Sequence, residues 1–209
     1  MDIEPHHRER ARTLAQHEIG HYVVAKVMGF GTGEVTVELT ESGGHKAGAE
    51  VFLDLPITDI GAVVSYLERR VVVLFAGALA ETLPPCHEMQ NRGVNNEKAC
   101  EIFHSPIMGA FQDSVRTSEA LIMLRSVLNQ APCSLDEVDR QISAIGNRLW
   151  ARTTNLVEQF EDVIVGVAGR LTQELKVSGS IFNPIIRASL SLETLSNIPD
   201  LQTLPLLDP

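Results

Sequence analysis

The chain has 209 residues, of which 44% are hydrophobic, 21% charged and 5% aromatic, a composition typical of globular proteins that excludes disordered and fibrous classes. Its formal net charge is −10 and no basic stripe runs along it, which argues against a nucleic-acid partner. The N-terminus lacks an apolar signal or anchor, and the longest strongly apolar run, Val71–Ala80, is about half of the ~20 residues that span a bilayer. We therefore expect a cytoplasmic protein with no membrane contact.

The first predicted element is one long helix from about Arg8 to Met28, because this stretch contains neither proline nor a turn cluster. The glycine-rich segment 29–33 is expected to end it. Glu34–Leu39 and Ala49–Leu53 follow, and their alternating polar and apolar residues predict two strands of a hairpin. A small sheet should therefore come directly after the first helix.

A second helix is predicted from Ile60 to about Leu83, with Asp59 as its N-cap and two prolines after its end. Apolar residues nearly surround this helix, which indicates that it is buried. The small side chains within Ala76–Ala80 permit close contact with another helix. These features predict a helix pair at the centre of the protein.

The segment between Cys86 and Met108 is the least regular part of the chain, and only Glu97–Phe103 is expected to form a helical turn. The three cysteines are odd in number and share no CxxC spacing, which argues against disulfides or a cysteine zinc site. We expect reduced thiols at these positions: Cys86, Cys100 and Cys133.

Helical pattern resumes at Asp113–Leu128, and Ser134 begins a capping-box signature for a long amphipathic helix reaching about Leu175. Ser178-Gly179-Ser180 is expected to break that helix. The last residues, 196–209, contain three prolines and are expected to form an extended or mobile tail. Residues 1–195 are then a single domain of the mainly α (α+β) class, with a small hairpin or sheet after the first helix.

The pentapeptide His17-Glu18-Ile19-Gly20-His21 carries the clearest chemical signal. Residues four apart on a helix share a face, so both imidazoles can bind one zinc ion. Glu18 lies between them, in the general-base position of metalloproteases, where a carboxylate contacts a zinc-bound water instead of the metal. The alternative is a pair of core histidines that hydrogen-bond to backbone carbonyls, although buried ionisable groups in such an apolar helix require compensation.

A catalytic zinc site needs a third protein ligand, and spacing alone leaves that choice open. The downstream candidates all carry a carboxylate or an imidazole: Glu81, His87, Glu88, Glu97, His104 and Asp113.

The sequence resembles the zinc peptidase domain of FtsH-type proteases. Residues 15–24, AQHEIGHYVV, are similar to the family's H-E-A-G-H-A helix, and 75–81, FAGALAE, to its G-G-R-A-A-E helix. Residues 109–113, GAFQD, fit its G-A-x-x-D motif, and 171–181, LTQELKVSGSI, its closing helix and turn. The resemblance covers about residues 8–190, and only the first motif is highly specific.

The resemblance implies a zinc metallopeptidase in which His17, His21 and Asp113 bind zinc and Glu18 is the general base. Glu81 would be a hydrogen-bonded partner of a ligand, or simply a carboxylate at a helix end. Glu97 is the rival third ligand, since Gly93–Glu97 can be aligned to the same motif. Asp113 is favoured because its Gly-Ala pair matches and a helix follows it.

FtsH-type proteases join this domain to an ATPase motor and a membrane anchor, but the chain has no G-x-x-x-x-G-K-[ST] loop and no spanning helix. We therefore expect it to cut flexible or unfolded polypeptides, or to take substrate from a separate unfoldase or adaptor. Either predicted strand could pair with an extended substrate or serve only as scaffold. The resemblance also implies a hexamer. The alternative function is a catalytically silent zinc-binding module for regulation or interaction with the same fold.

Overall fold

The protein is described by a computed structural model covering residues 3–40, 44–85, 92–106, 109–129, 131, 133–180 and 183–191. The predicted mainly α (α+β) class is confirmed within these ranges. The elements in chain order are α1 Pro5–Val27, β1 Gly31–Thr40, β2 His45–Phe52, α2 Ile60–Glu81, α3 Asn96–His104, α4 Phe111–Leu128, α5 Leu135–Gln159, α6 Glu161–Gln173, β3 Lys176–Ser180 and β4 Asn183–Ser191.

Helix α1 is the central element of the core. From Ala15 to Ala25 every residue except Glu18 is buried, because α2, α6 and the sheet pack around this helix. The helix begins with Pro5 in its first turn, one turn earlier than predicted. It ends as predicted at Gly29, whose φ of 84° favours glycine, and the Phe30 N–H donates to the Ala25 carbonyl at 3.0 Å.

Helices α1 and α2 approach each other closely at Gly20. A Cβ atom added there would lie 2.5 Å from the Ala80 Cβ and 2.8 Å from the Ala76 carbonyl oxygen. The predicted role of small residues in helix contact is thus confirmed, and it includes a glycine inside the histidine motif itself. The close approach brings the α2 backbone beneath the two histidines.

The sheet has four antiparallel strands in the order β2-β1-β4-β3. The predicted hairpin of β1 and β2 is confirmed, and Val35, Val37 and Leu39 of β1 alternate towards the core. Strands β3 and β4 were not predicted. They form a local hairpin with each other, and β4 joins the sheet by pairing with β1 about 150 residues away in sequence. Because β1 is paired on both sides, it cannot receive another strand, whereas β2 is an edge.

The prediction of one helix from residue 135 to about residue 175 is wrong. The helix is interrupted at Phe160, where φ is −104° and ψ is 15°, and α6 ends at Gln173, before β3. The carboxylate of the buried residue Glu161 accepts a hydrogen bond from the Gly93 N–H at 3.2 Å and pairs with Arg92 at 3.4 Å. This tertiary contact, across 68 or 69 residues, has no signature in the local helical pattern.

The predicted helix caps agree with the structure. The Asp59 side chain accepts from the Ala62 N–H at 2.8 Å, and Ser134 accepts from the Glu137 N–H at 3.3 Å. The helical turn predicted at 97–103 is a nine-residue helix, α3, capped by Asn95. Helix α4 begins two residues before its predicted start.

Some predictions concern residues outside the described ranges, namely those for Cys86, His87, Glu88 and the tail 196–209. Cys100 and Cys133 are free cysteines. In the described part of the chain, none of the helices combines the length and apolar character needed to cross a membrane.

Candidate metal centre

The imidazoles of His17 and His21 meet on one face of α1, one helical turn apart. Their Nε2 atoms are 3.1 Å apart, and the ring planes are inclined by 78°. Both residues are buried. Two ring nitrogens therefore converge on one point at the helix surface, as the four-residue spacing predicts.

Asp113 completes the group from the first turn of α4. Its Oδ2 atom lies 3.3 Å from the His17 Nε2 and 3.1 Å from the His21 Nε2. Nitrogen and oxygen ligands ~2.0–2.1 Å from a tetrahedral zinc ion lie ~3.3 Å from one another, so the three atoms have the separations of one tetrahedral face. Within the described residues, this is the group of three side chains that could hold a metal ion.

The hydrogen-bond partner of the other ring nitrogen, Nδ1, indicates the tautomer of each histidine. The His21 Nδ1 lies 2.8 Å from the Val73 carbonyl oxygen, which can only accept, so we assign the proton to Nδ1. The His17 Nδ1 lies 3.1 Å from Glu81 Oε2 and is assigned as a donor for the same reason. In this tautomer, with the proton on Nδ1, each imidazole directs its Nε2 towards the centre, beside the Asp113 carboxylate.

Three converging lone pairs attract a cation, and the pKa values reflect this. Burial lowers the pKa of His17, but hydrogen bonds with Asp113 and Glu81 outweigh it and raise the pKa to about 10. Burial raises the pKa of Asp113, but the charges and hydrogen bonds of His21 and His17 hold it far below its usual range. The group thus holds positive charge strongly, as a proton or as a metal ion.

Gly77 leaves space for a metal ion. A Cβ atom added to this α2 residue would lie 2.5 Å from the Nε2 atoms of both His17 and His21. Such a carbon would occupy the place in front of the ligand nitrogens. The absence of a side chain at Gly77 therefore keeps the centre open, and the donor set of two imidazoles and one carboxylate fits zinc.

We expect Gly77→Ala to lower zinc affinity by roughly tenfold or more, since the methyl group displaces ligand atoms that must be held precisely in place. Affinity would be measured by competition with a chromogenic chelator. Gly166→Ala in α6 is the matched control, because nothing lies within 4 Å of its added Cβ. Equal zinc affinity in Gly77→Ala and wild type would contradict this assignment of the metal position.

The candidate metal-binding group opens into a cleft of about 390 Å³. One wall is the edge strand β2, through Ala47, Gly48 and Ala49, and the others come from α2 and the start of α4. Glu18 lines the same cleft, is only half-buried, and forms no hydrogen bond or ion pair with any described residue. A carboxylate with free lone pairs therefore lies next to the three candidate ligands.

The remaining predicted ligands are placed elsewhere. Glu97 is exposed in the first turn of α3 and His104 is exposed at its end, and neither belongs to the group. Glu81 contacts the Nδ1 atom of His17, on the side of the imidazole ring away from the centre. His87 and Glu88 lie outside the described residues.

Sequence reasoning missed several residues of this site. The Val73 carbonyl orients His21, and Arg70, Gln112 and Arg116 line the cleft. A helical projection carries a usable signal for α2, because residues 70, 73, 77 and 81 follow the three- and four-residue spacing of one face. No comparable sequence signal connects α4 to the cleft, because the position of this helix beside the cleft depends on tertiary packing.

Comparison with known proteins finds no match for this chain, either among protein-family models or among curated proteins. The function must therefore be argued from the geometry of the site.

Proposed function

We propose that the protein is a zinc-dependent metallopeptidase of the type suggested by its resemblance to FtsH-type peptidase domains. The observation that carries this proposal is the position of the three candidate ligands on the wall of an open cleft, with Glu18 beside them. Structural zinc sites are closed by four protein ligands, whereas catalytic sites have three and keep one position open. The described group offers three.

The outer contacts of the histidines support a metal role. Metal-binding imidazoles commonly donate their second ring N–H to a carboxylate or a backbone carbonyl, and such partners tune the ligand. His17 has a carboxylate in Glu81, and His21 has the Val73 carbonyl. The Nε2 atoms of both histidines then face one point, 3.1 Å apart and beside the Asp113 carboxylate.

His17, His21 and Asp113 would hold the zinc ion, which would supply Lewis-acid activation of water and of the scissile carbonyl. The Glu18 carboxylate accepts the proton of the attacking water and returns it to the leaving amine. Glu81 and Val73 keep the imidazoles of His17 and His21 in the tautomer and orientation that ligation requires. The chain's own contribution is thus ligand orientation and proton transfer.

The edge strand supports an extended polypeptide as substrate. Among the described residues strand β2 pairs with β1 alone, and its residues Ala47–Ala49 line the cleft. An added peptide strand could hydrogen-bond to this free edge and pass the metal centre. Because a tightly folded protein keeps most of its backbone paired or buried, the substrate would be a flexible or unfolded chain, delivered by itself or by a separate unfoldase or adaptor.

Cleavage of an unfolded protein tests this proposal. The zinc-loaded protein is expected to fragment a reduced, alkylated protein faster than the same protein in its native state. A chelator should stop cleavage, and added zinc should restore it. Stoichiometric zinc binding without hydrolysis of any unfolded substrate would contradict the proposal and favour a silent zinc-binding module.

A further inference from the structure

Two arginines line the cleft next to the metal centre. Arg70 projects from α2, one turn before the Val73 carbonyl that orients His21, and Arg116 lies one turn after Asp113 on α4. Apart from these arginines, the charged side chains of the cleft belong to the histidine motif and Asp113, and the β2 wall is formed by small or apolar residues. Although the chain has a net charge of −10, two cationic side chains therefore line its candidate active site.

Neither guanidinium forms a hydrogen bond or an ion pair with a described residue. Arg70 is half-buried and Arg116 is exposed. Two other half-buried arginines are paired: Arg148 pairs with Glu68 at 2.9 Å, and Arg69 donates to the Met28 carbonyl at 2.7 Å. Burial lowers the pKa of Arg70, yet an arginine stays protonated, so it is a partly desolvated cation with no hydrogen-bonded carboxylate among the described residues.

Asp113 does not satisfy these cations. It acts on Arg70 through charge, but its Oδ2 atom faces the imidazoles of His17 and His21 at 3.1–3.3 Å and is used in the metal group. An external anion is therefore the partner that the cleft lacks. In a polypeptide that anion is a carboxylate, whose two oxygens match the planar guanidinium fork.

The position of Arg70 along α2 gives the scale of its distance from the metal centre. Gly77, beneath the ligand nitrogens, comes seven positions later, and a rise of ~1.5 Å per residue places the two backbone positions about 10 Å apart along the helix. An extended peptide advances ~3.3 Å per residue, so about three residues cover the same distance.

We propose that the cleft selects peptide substrates that carry a carboxylate within about three residues of the scissile bond, bound by Arg70 and Arg116. The proposal rests on the proposed peptidase function and adds its substrate class. The carboxylate is an acidic side chain or the free C-terminus of the peptide, and both present the same chemistry to the guanidinium groups.

Peptide binding tests this in the Glu18→Gln background, so that binding can be measured without turnover. The probes are fluorescent peptides of three kinds built on one neutral sequence: the neutral peptide with an amidated C-terminus, a set of amidated peptides with a single Glu stepped through the sequence, and the neutral peptide with a free C-terminal carboxylate. Binding of each is followed by fluorescence anisotropy to the zinc-loaded protein, and hydrolysis of each by the protein with Glu18 is measured in parallel.

At least one carboxylate peptide is expected to bind roughly 10- to 100-fold more tightly than the neutral peptide, as for hydrogen bonds to charged groups. That preference should fall towards one in Arg70→Gln and in Arg116→Gln. Arg170→Gln is the matched control, because Arg170 is exposed on α6 and does not line the cleft, and it should keep the wild-type preference. The peptide that shows the preference identifies the carboxylate as a side chain or a C-terminus.

Equal binding of neutral and carboxylate peptides overturns the selectivity, whether or not the protein hydrolyses peptides. A preference that survives in both arginine variants also overturns it. Failure of the peptidase function is distinguishable, because it shows as absence of hydrolysis by the zinc-loaded protein while the carboxylate preference in binding persists.

Discussion

Replacing Glu18 with Gln is expected to lower kcat/KM for peptide hydrolysis by about 10²- to 10⁴-fold, the range typical of a lost general acid–base group. Glutamine has nearly the same shape, so the fold and the metal ligands should be retained, but its amide cannot accept the proton of water. Zinc content, measured by elemental mass spectrometry, should therefore equal that of wild type. The expected result is a protein that contains zinc but does not cut peptides.

Glu97→Gln is the matched control for this experiment, because it removes the same charge from an exposed position on α3 outside the metal group. It should hydrolyse peptides at the wild-type rate. Wild-type hydrolysis by Glu18→Gln with zinc bound would remove Glu18 from the mechanism. Loss of zinc together with activity would instead indicate that Glu18 supports the metal site.

Loss of bound zinc when a ligand is removed is the second large expected effect. Purified wild type should hold about one zinc per chain, and His21→Ala and Asp113→Ala should each retain less than about a tenth of that after gel filtration, since each removes one of three ligands. In the structure the His21 Nε2 and the Asp113 Oδ2 are 3.1 Å apart, so neither has a replacement in the described group. Elemental mass spectrometry on matched samples measures the effect.

The rival carboxylate supplies the control for the metal measurement. Glu97→Ala should keep the wild-type zinc content, because Glu97 is exposed and outside the group. Circular dichroism of each variant separates loss of metal from loss of fold. A full zinc complement in Asp113→Ala, or its loss in Glu97→Ala, would reverse the choice of third ligand.

Local sequence determined much of the secondary structure. The lack of breakers before Gly29 and the caps at Asp59 and Ser134 act over a few residues, and the corresponding helices lie close to where they were predicted. The β3–β4 hairpin is a local feature that was missed, whereas the helix interruption at Phe160 and the pairing of β4 with β1 depend on partners far away in the sequence. A local pattern cannot report such partners.

The same division holds for the candidate site. The pairing of His17 with His21 follows from helical geometry alone, since residues four apart face the same way. Asp113 was proposed by resemblance and not by spacing, because it lies 92 residues beyond His21 and reaches it only through the packing of α4.

The sequence by itself determined the histidine motif, the helix that carries it and the small residues that admit a second helix. Only the tertiary structure decided which carboxylate joins the histidines, which strand has a free edge, and that Arg70 and Arg116 share one cleft. The physical reason is the distance along the chain over which each kind of interaction acts. Backbone hydrogen bonding and side-chain periodicity act within a few residues, whereas a site is made where separate elements bury their surfaces against one another.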